Sequence, residues 1–206
     1  MRHVDPKCRL CRSERAKLFL KGERCFSPKC PIDKKQAVVP GVHGAKRTRR
    51  VSEYGVRLRE KQKMKRMYDV TEKQFKGYVM KAKKAKEETG QTLFRLLESR
   101  LDSVVYHLGF VPAKSSARQL IAHGHILVDG KRVDVPSYQV QPDQVISLKP
   151  KTLKLQQVIA NSKKKDIVLP EWLEKKGPAG RMKRLPDRDE MTADINERLI
   201  VEYYSR

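Results

Sequence analysis

The chain has 206 residues, of which 47 are Lys or Arg and 24 are Asp or Glu, and its formal net charge is +23. This excess favours a polyanionic partner, because each phosphate contact releases a condensed counterion. No stretch approaches the roughly 20 apolar residues of a spanning helix, and the N-terminus lacks a secretory signal. We therefore expect a cytoplasmic chain that binds no membrane. Its 38% hydrophobic content also excludes a simple disordered tail.

All four cysteines, Cys8, Cys11, Cys25 and Cys30, lie in the first 30 residues with the spacing C-x2-C-x13-C-x4-C. Two close pairs separated by such a loop are typical of a four-thiolate site, and disulfides are disfavoured in a reducing cytosol. Zinc is the first expectation and an iron–sulfur cluster is the alternative, since both take four thiolates. Four thiolates leave no position open for water, so we expect a structural metal that staples residues 1–45 into a metal-binding segment and loop.

A basic helical domain is predicted over residues 46–97. Between Lys46 and Arg66 ten residues are basic and only two are acidic. Ser52 fits the N-cap of a helix from about Glu53 to Tyr68. This helix has a narrow apolar stripe, so most of its charged surface is expected to face solvent or a polyanion.

Two further helices are predicted after this basic run. Thr71-Glu-Lys-Gln74 fits a capping box that begins one of them, and Gly90 is expected to end it. Apolar residues then recur at helical spacing from Leu93 to Leu108, which is the strongest helical stripe of the chain.

A small module follows, over residues 98–165, in which short strands appear. Ser115 or Ser116 is expected to cap a short helix. His125 to Val128 is typical of a strand, and Asp129-Gly130 predicts a tight hairpin turn because both of its central positions need a positive φ. Val145 to Leu148 predicts another strand.

Residues 166–189 are expected to connect this module to a C-terminal tail. The tail, residues 190–206, contains an apolar run from Leu199 to Tyr204 that is expected to dock on the helical domain. The predicted fold class is therefore α+β, with a metal-stapled N-terminal segment, a helical domain, and a small module of a helix pair and antiparallel strands.

No catalytic constellation is present in the sequence. It contains neither a P-loop nor a GxGxxG motif. The zinc deaminase signature fails because His43-Gly44-Ala45 lacks the required Glu. We therefore expect that the chain is not an enzyme. His123 and His125 lie beside basic residues, where contact with phosphate or base is favoured over metal coordination.

Several of these segments together resemble a known family. Three of them are similar to the small RNA-binding module named after the fourth protein of the small ribosomal subunit: Glu98–Phe110, Ala117–Gly130 and Pro136–Tyr138. That module also occurs in pseudouridine synthases and some tRNA synthetases, so by itself it implies only RNA binding. Five others resemble the remainder of that ribosomal protein: Pro40–Gly44, Arg49-Arg50, Ser52–Gly55, Leu58–Lys63 and Val201–Arg206. The cysteine segment is similar to the metal-binding bacterial variant.

The resemblance implies a structural component of the small subunit that binds its ribosomal RNA directly, acts early in assembly and contributes to decoding accuracy. The partners it implies are that RNA, neighbouring small-subunit proteins, and messenger RNA near the side where it enters. From the charges and the resemblance, the residues expected to bind RNA are Lys46, Arg47, Arg49, Arg50, Tyr54, Arg57, Arg59, Lys61, Lys63, Arg66, Arg100, Lys114, Ser116, Arg118, His123, His125, Lys131 and Arg132.

Two other classes of protein compete with this interpretation. A zinc-dependent DNA-binding regulator would need a base-reading recognition helix and usually a dimerisation element, and neither is found in the sequence. An accessory protein of an RNA-modifying enzyme would carry the same module beside a catalytic domain, for which residues 150–206 are too few.

Overall fold

The computed structural model describes residues 6–34, 38–46, 50–162, 168–190 and 195–205. The chain divides into two compact units, one formed by Met1–Gly90 together with Ala193–Arg206 and the other by Gln91–Thr192. None of the helices in the described ranges is long and apolar enough to cross a bilayer.

In the described residues, helices make up the first unit and the second unit combines helices with antiparallel strands, which confirms the α+β class. The α-helices in the described residues are α1 Lys7–Glu14, α2 Pro31–Lys34, α3 Glu53–Met67, α4 Glu72–Lys84, α5 Thr89–Glu98, α6 Leu101–His107, α7 Lys114–Ala122, α8 Gln156–Ser162 and α9 Glu197–Tyr203. The strands are β1 Ile126–Val128, β2 Lys131–Arg132, β3 Val145–Leu148, β4 Leu173–Lys176 and β5 Ala179–Met182.

In the first unit, the two predicted helix starts are confirmed. Ser52 caps α3, and its hydroxyl accepts a hydrogen bond from the amide of Gly55 at 3.2 Å. Thr71 and Gln74 form the capping box of α4, each side chain accepting from the other residue's amide at 3.4 Å. Both caps are local side-chain to backbone contacts, which is why the sequence predicted them.

The C-terminal helix α9 packs along α3 in the same unit. Arg57 of α3 donates from Nε to Glu202 of α9 at 2.7 Å. The amide of Asn196 donates to Glu60 at 3.2 Å. Ile200 is fully buried, so apolar packing and polar contacts together hold α9 in place.

The apolar stripe from Leu93 to Leu108 is divided between α5 and α6, which corrects the prediction of one helix. Arg100 adopts an extended conformation and forms an isolated antiparallel bridge with Gln139. The amide of Leu101 donates to the carbonyl of Tyr138 at 2.8 Å. The carbonyl of Tyr138, distant in sequence, thus satisfies a backbone amide at the break between α5 and α6.

Three further details differ from the sequence predictions. Helix α4 ends at Lys84, and Gly90 lies in the first turn of α5 instead of ending a helix. Helix α7 begins after Ala113 and has no side-chain cap, so neither Ser115 nor Ser116 serves as the cap. The carbonyl of Ala113 accepts hydrogen bonds from the amides of Ser116 and Ala117 at 3.0 and 3.1 Å, so the backbone satisfies these donors without a capping hydroxyl.

The second unit contains a five-stranded antiparallel sheet in the order β2-β1-β3-β5-β4. The predicted turn between β1 and β2 is confirmed, since Asp129 and Gly130 have φ values of 48° and 76°. The segment expected to be a connector supplies β4 and β5, and Ala179 of β5 pairs with Ser147 of β3.

One apolar cluster unites the helices and the sheet of this second unit. It includes Leu101 and Val105 of α6, Ile121 of α7, Ile146 of β3, and Trp172 just before β4. All five side chains are almost completely buried. The helix pair α6 and α7 therefore packs on the sheet as one layer on another.

Candidate nucleic-acid interface

The turn between α7 and β1 brings basic and aromatic nitrogen groups together at one edge of the second unit. Gly124 has a φ of +70°, and a Cβ at this position would lie 2.3 Å from Nε of Arg132. Only glycine fits this backbone and this contact. The rings of His123 and His125 lie 6.2 Å apart on either side of the glycine.

The strand β2 occupies the outer edge of the sheet, and both of its side chains are exposed. Arg132 projects beside the turn that carries the two histidines, and Lys131 is exposed next to it in the strand. Arg132 lies 3.9 Å from Asp134, at a distance where an exposed ion pair contributes little. We call His123, His125, Lys131 and Arg132 the hairpin patch.

Arg100 and Arg118, which were predicted to contact RNA, lie inside the second unit and outside the hairpin patch. They are only 1% and 5% exposed. The Oδ2 of Asp102 accepts from Nη2 of Arg100 and from Nη2 of Arg118, both at 2.6 Å. Their guanidinium groups neutralise a buried carboxylate, and charge alone could not reveal this.

Lys114 and Ser116 lie near the start of α7, and Lys114 is held towards the interior. Its Nζ lies 3.7 Å from Glu98, and burial lowers the pKa of Lys114. Burial alone would raise the pKa of Glu98, but the nearby His107 and Lys114 hold it far below its usual range. Ser116 is half-buried. Glu98, His107 and Lys114 form a charged network in the second unit.

In the first unit, Lys61, which was predicted to contact RNA, is only 3% exposed. Its Nζ donates to Glu72 at 2.8 Å and lies 4.6 Å from the centre of the Tyr203 ring. Burial would raise the pKa of Glu72, yet hydrogen bonds from Lys61, Tyr204 and Lys65 lower it to about 2.

The other cations predicted on α3 divide into paired and exposed groups. Arg57 bonds to Glu53 and Glu202, Arg66 to Ser13 and Glu14, and Lys63 lies 3.7 Å from Glu60. Arg59 is exposed but also donates to Glu14 at 3.4 Å. Lys46 and Arg50, which precede α3, and Tyr54 at its start are exposed. Arg47 and Arg49 lie outside the described residues.

Helix α4 carries four exposed lysines that were not among the predicted RNA-binding residues. They are Lys73, Lys76, Lys81 and Lys84. Phe75, Val79 and Ala82 are buried on the opposite side of the same helix. Helical periodicity counted from those apolar residues could have predicted this basic face.

The four cysteines fall in one small part of the first unit, around α1 and α2. All four are free thiols, and three of them are buried. Burial, with smaller contributions from the other three thiols, raises the pKa of Cys11. The amide of Lys21 donates to the sulfur of Cys25 at 3.4 Å. Within the described ranges, no group of three or more potential ligands has the geometry of a metal site.

Two family models and several named proteins match this chain. The family model described as "Ribosomal protein S4/S9 N-terminal domain" matches residues 2–98, and the one described as "S4 domain" matches residues 99–146. The chain is 48% identical over 208 residues to "Small ribosomal subunit protein uS4" of Thermus thermophilus, covering 100% of this chain and 99% of that protein. The chain belongs to the uS4 family. The proteins of the same name from Natranaerobius thermophilus and Dictyoglomus thermophilum are 49% and 48% identical, with the same coverage of both chains.

The two family matches cover different parts of the candidate interface. The uS4 N-terminal match includes the cysteine segment, α3 and α4, and the S4 domain match includes the hairpin patch. Strands β4 and β5 follow both matches, although they belong to the same sheet as the patch. The exposed lysines of α4 therefore fall within the first match and the hairpin patch within the second.

Proposed function

We propose that this chain is a structural component of the small ribosomal subunit that binds the subunit's ribosomal RNA directly and is not an enzyme. The observation that carries this proposal is the similarity, over the whole chain, to proteins named small ribosomal subunit protein uS4. A protein of this kind acts by binding, so it needs no catalytic groups.

The exposed charges support RNA as the partner. The hairpin patch lies on an edge strand, where Lys131 and Arg132 can reach phosphates without disturbing the core. The lysine face of α4 and the exposed Lys46 and Arg50 add further phosphate contacts in the first unit. RNA helices are recognised mainly by shape, phosphates and 2′-OH groups, which suits dispersed cations of this kind.

We further propose that two parts of the chain each bind RNA. The helical domain of residues 46–97, with the tail of residues 190–206 docked on it, and the module of residues 98–165 each bind RNA. Residues 166–189 were expected only to connect the module to the tail, but they supply β4 and β5 of its sheet before the chain reaches that tail. By holding separate RNA elements in one arrangement, the chain nucleates assembly and contributes to decoding accuracy. Neighbouring small-subunit proteins and messenger RNA near its point of entrance are the further partners.

The test is a titration of the full chain against small-subunit ribosomal RNA at several salt concentrations, with large-subunit RNA and duplex DNA as competitors. We expect preferential binding to the small-subunit RNA, with log affinity falling linearly against log salt. Equal affinity for all three polyanions would contradict the proposal. Preference for the DNA would favour the alternative of a DNA-binding regulator.

We also propose that Cys8, Cys11, Cys25 and Cys30 hold a structural metal, with zinc as the first choice and an iron–sulfur cluster as the alternative. The chemistry of the donors supports this proposal, because four free thiols lie in one small segment, most of them are buried, and thiolates are the ligands of closed zinc sites. The apolar core beside them is small, with only Leu10, Cys11 and Leu18 buried in its cluster. When bound, the metal would supply folding free energy and no reaction chemistry.

Elemental analysis of the purified chain tests the metal directly. We expect about one zinc per chain, or iron with acid-labile sulfide for the alternative. A Cys30→Ser variant should lose the metal, and its residues 6–34 should become sensitive to protease. A chain that contains no metal, with this segment equally resistant before and after chelation, would contradict the proposal.

A further inference from the structure

The first unit contains a cavity of about 330 Å³ where α3, α4 and α9 meet. Three tyrosines and two cations line it: Tyr54, Arg57, Lys76, Tyr203 and Tyr204. This combination of ring faces and hydrogen-bond donors is typical of sites that hold a nucleobase.

The three rings have fixed relations to one another. Those of Tyr54 and Tyr203 lie 5.7 Å apart at an angle of 35°, and their hydroxyls are 3.4 Å apart. Tyr204 stands nearly perpendicular to Tyr203 at 5.1 Å, and its hydroxyl donates to Glu72 at 2.6 Å. Rings this close leave no room for a base between them. Tyr54 is 56% exposed, so a base would stack on its outer face.

The two cations differ in what they offer a ligand. Nε and Nη2 of Arg57 donate to Glu202 and Glu53, whereas Nη1 is buried and has no hydrogen-bond partner among the described residues. The two carboxylates offset the charge of Arg57, so Nη1 suits a neutral acceptor such as a base carbonyl. Lys76 is exposed on α4, where its ammonium group can reach a phosphate.

We propose that this cavity receives a single unpaired nucleotide of RNA. Its base stacks on Tyr54, a base carbonyl accepts from Nη1 of Arg57, and the adjoining phosphate contacts Lys76. A base within a duplex is already stacked and cannot present its face, so the site selects a bulged or looped-out nucleotide. The inference rests on the proposed ribosomal RNA binding and deepens it by naming the structural state of the RNA.

An acidic protein segment is a less suitable occupant. Its carboxylates would contact Lys76, but they would not use the exposed ring of Tyr54. Glu53 and Glu202 already lie at Arg57 and would repel further negative charge there. A flat, neutral ring with a single attached phosphate matches both the tyrosine and the arrangement of the two cations.

The test compares Tyr54→Leu with Tyr54→Phe in the full chain. Both variants lose the hydroxyl contact with Tyr203, but only the first loses the stacking face. We expect Tyr54→Leu to weaken binding to small-subunit ribosomal RNA by roughly 5- to 150-fold, the range measured for one base stacked on an aromatic ring, and Tyr54→Phe to change it less than about twofold. Val56→Ala, an exposed apolar change on the same helix, is the matched control.

A second arm uses a fully paired RNA duplex and the same ribosomal RNA carrying photoreactive 5-iodouridine. We expect duplex binding to be equal for all variants, and a cross-link from an unpaired nucleotide to the tryptic peptide of residues 51–57. If wild type binds the ribosomal RNA but Tyr54→Leu binds it equally well, the nucleotide site is wrong and the proposed function stands. If wild type shows no preference for that RNA, both are wrong. A protein cross-link at Tyr54 in assembled subunits, in place of RNA, would also overturn the inference.

Discussion

Replacing Asp102 with asparagine removes the negative charge at the centre of the buried network in the second unit. Arg100 donates to Oδ1 from Nε at 3.0 Å and to Oδ2 from Nη2 at 2.6 Å. Arg118 donates to the same Oδ2 from Nε at 3.1 Å and from Nη2 at 2.6 Å. An asparagine keeps the shape of the side chain. However, its amide nitrogen would face guanidinium donors in place of a carboxylate oxygen.

The magnitude follows from burial. Asp102, Arg100 and Arg118 are all at most 5% exposed, so water cannot replace the lost carboxylate. Removing one partner of a buried ion pair typically costs about 3–5 kcal/mol. For a chain of this length, each kcal/mol shifts the melting temperature by about 2–4 °C, which gives a decrease of roughly 6–20 °C.

Urea unfolding followed by tryptophan fluorescence measures this cost. Trp172 is the single tryptophan of the chain and is 2% exposed in the core of the same unit, so it reports on the unit that contains the network. Asp134→Asn is the matched control, because it makes the same chemical change in an exposed pair with Arg132 and should stay within about 0.5 kcal/mol. A loss below about 1 kcal/mol for Asp102→Asn would refute the reasoning.

Three further predictions concern the hairpin patch and the first unit. Gly124→Ala should lower the free energy of unfolding by about 1–3 kcal/mol, because alanine is strained at φ +70° and its Cβ would displace Arg132. Glu72→Gln should remove an acid-dependent part of stability: the folded pKa of about 2 lies below the ordinary value of 4.5, so this stabilisation is present above pH 4.5 and is lost as pH falls towards 2. Lys131→Gln should reduce the salt slope of RNA binding by roughly one.

Each of these three has its own control and contradicting result. Gly130→Ala has a similar φ of +76° but no atom within 4 Å of the new Cβ, so an equal cost in both glycine variants would exclude a role for Arg132. The contribution of Glu72 to the free energy of unfolding should be about 1 kcal/mol or less, because its side chain is half-exposed and solvent screens its ion pairs. Identical acid titrations of wild type and Glu72→Gln, monitored by circular dichroism, would contradict it. The control for Lys131→Gln is Lys176→Gln, at an exposed position of strand β4, which should leave the salt slope of RNA binding unchanged.

The features predictable from the sequence were those determined by neighbouring residues. The cap at Ser52, the capping box at Thr71 and the turn at Asp129-Gly130 each depend on a few consecutive side chains and on φ preferences. The family resemblance likewise depended on contiguous segments, and the comparisons confirm it.

The features that the sequence did not reveal depend on distant partners. The break between α5 and α6 exists because Arg100 pairs with Gln139, far along the chain. The burial of Arg118 depends on where α7 packs, which its own positive charge does not indicate. Strands β4 and β5 have little strand propensity of their own, and the pairing of β5 with β3 and of β4 with β5 compensates for it.

The docking of α9 on α3 has a consequence for the order of synthesis. The first unit is built from two stretches of chain, and the whole of the second unit, Gln91–Thr192, is translated between them. While the polypeptide is being made, every residue of the second unit exists before Glu197 has been added. A chain that ends just before Glu197 contains every residue of the sheet, whereas Arg57 of α3 still lacks its partner Glu202. The N-terminal half of the molecule is thus the last to be completed.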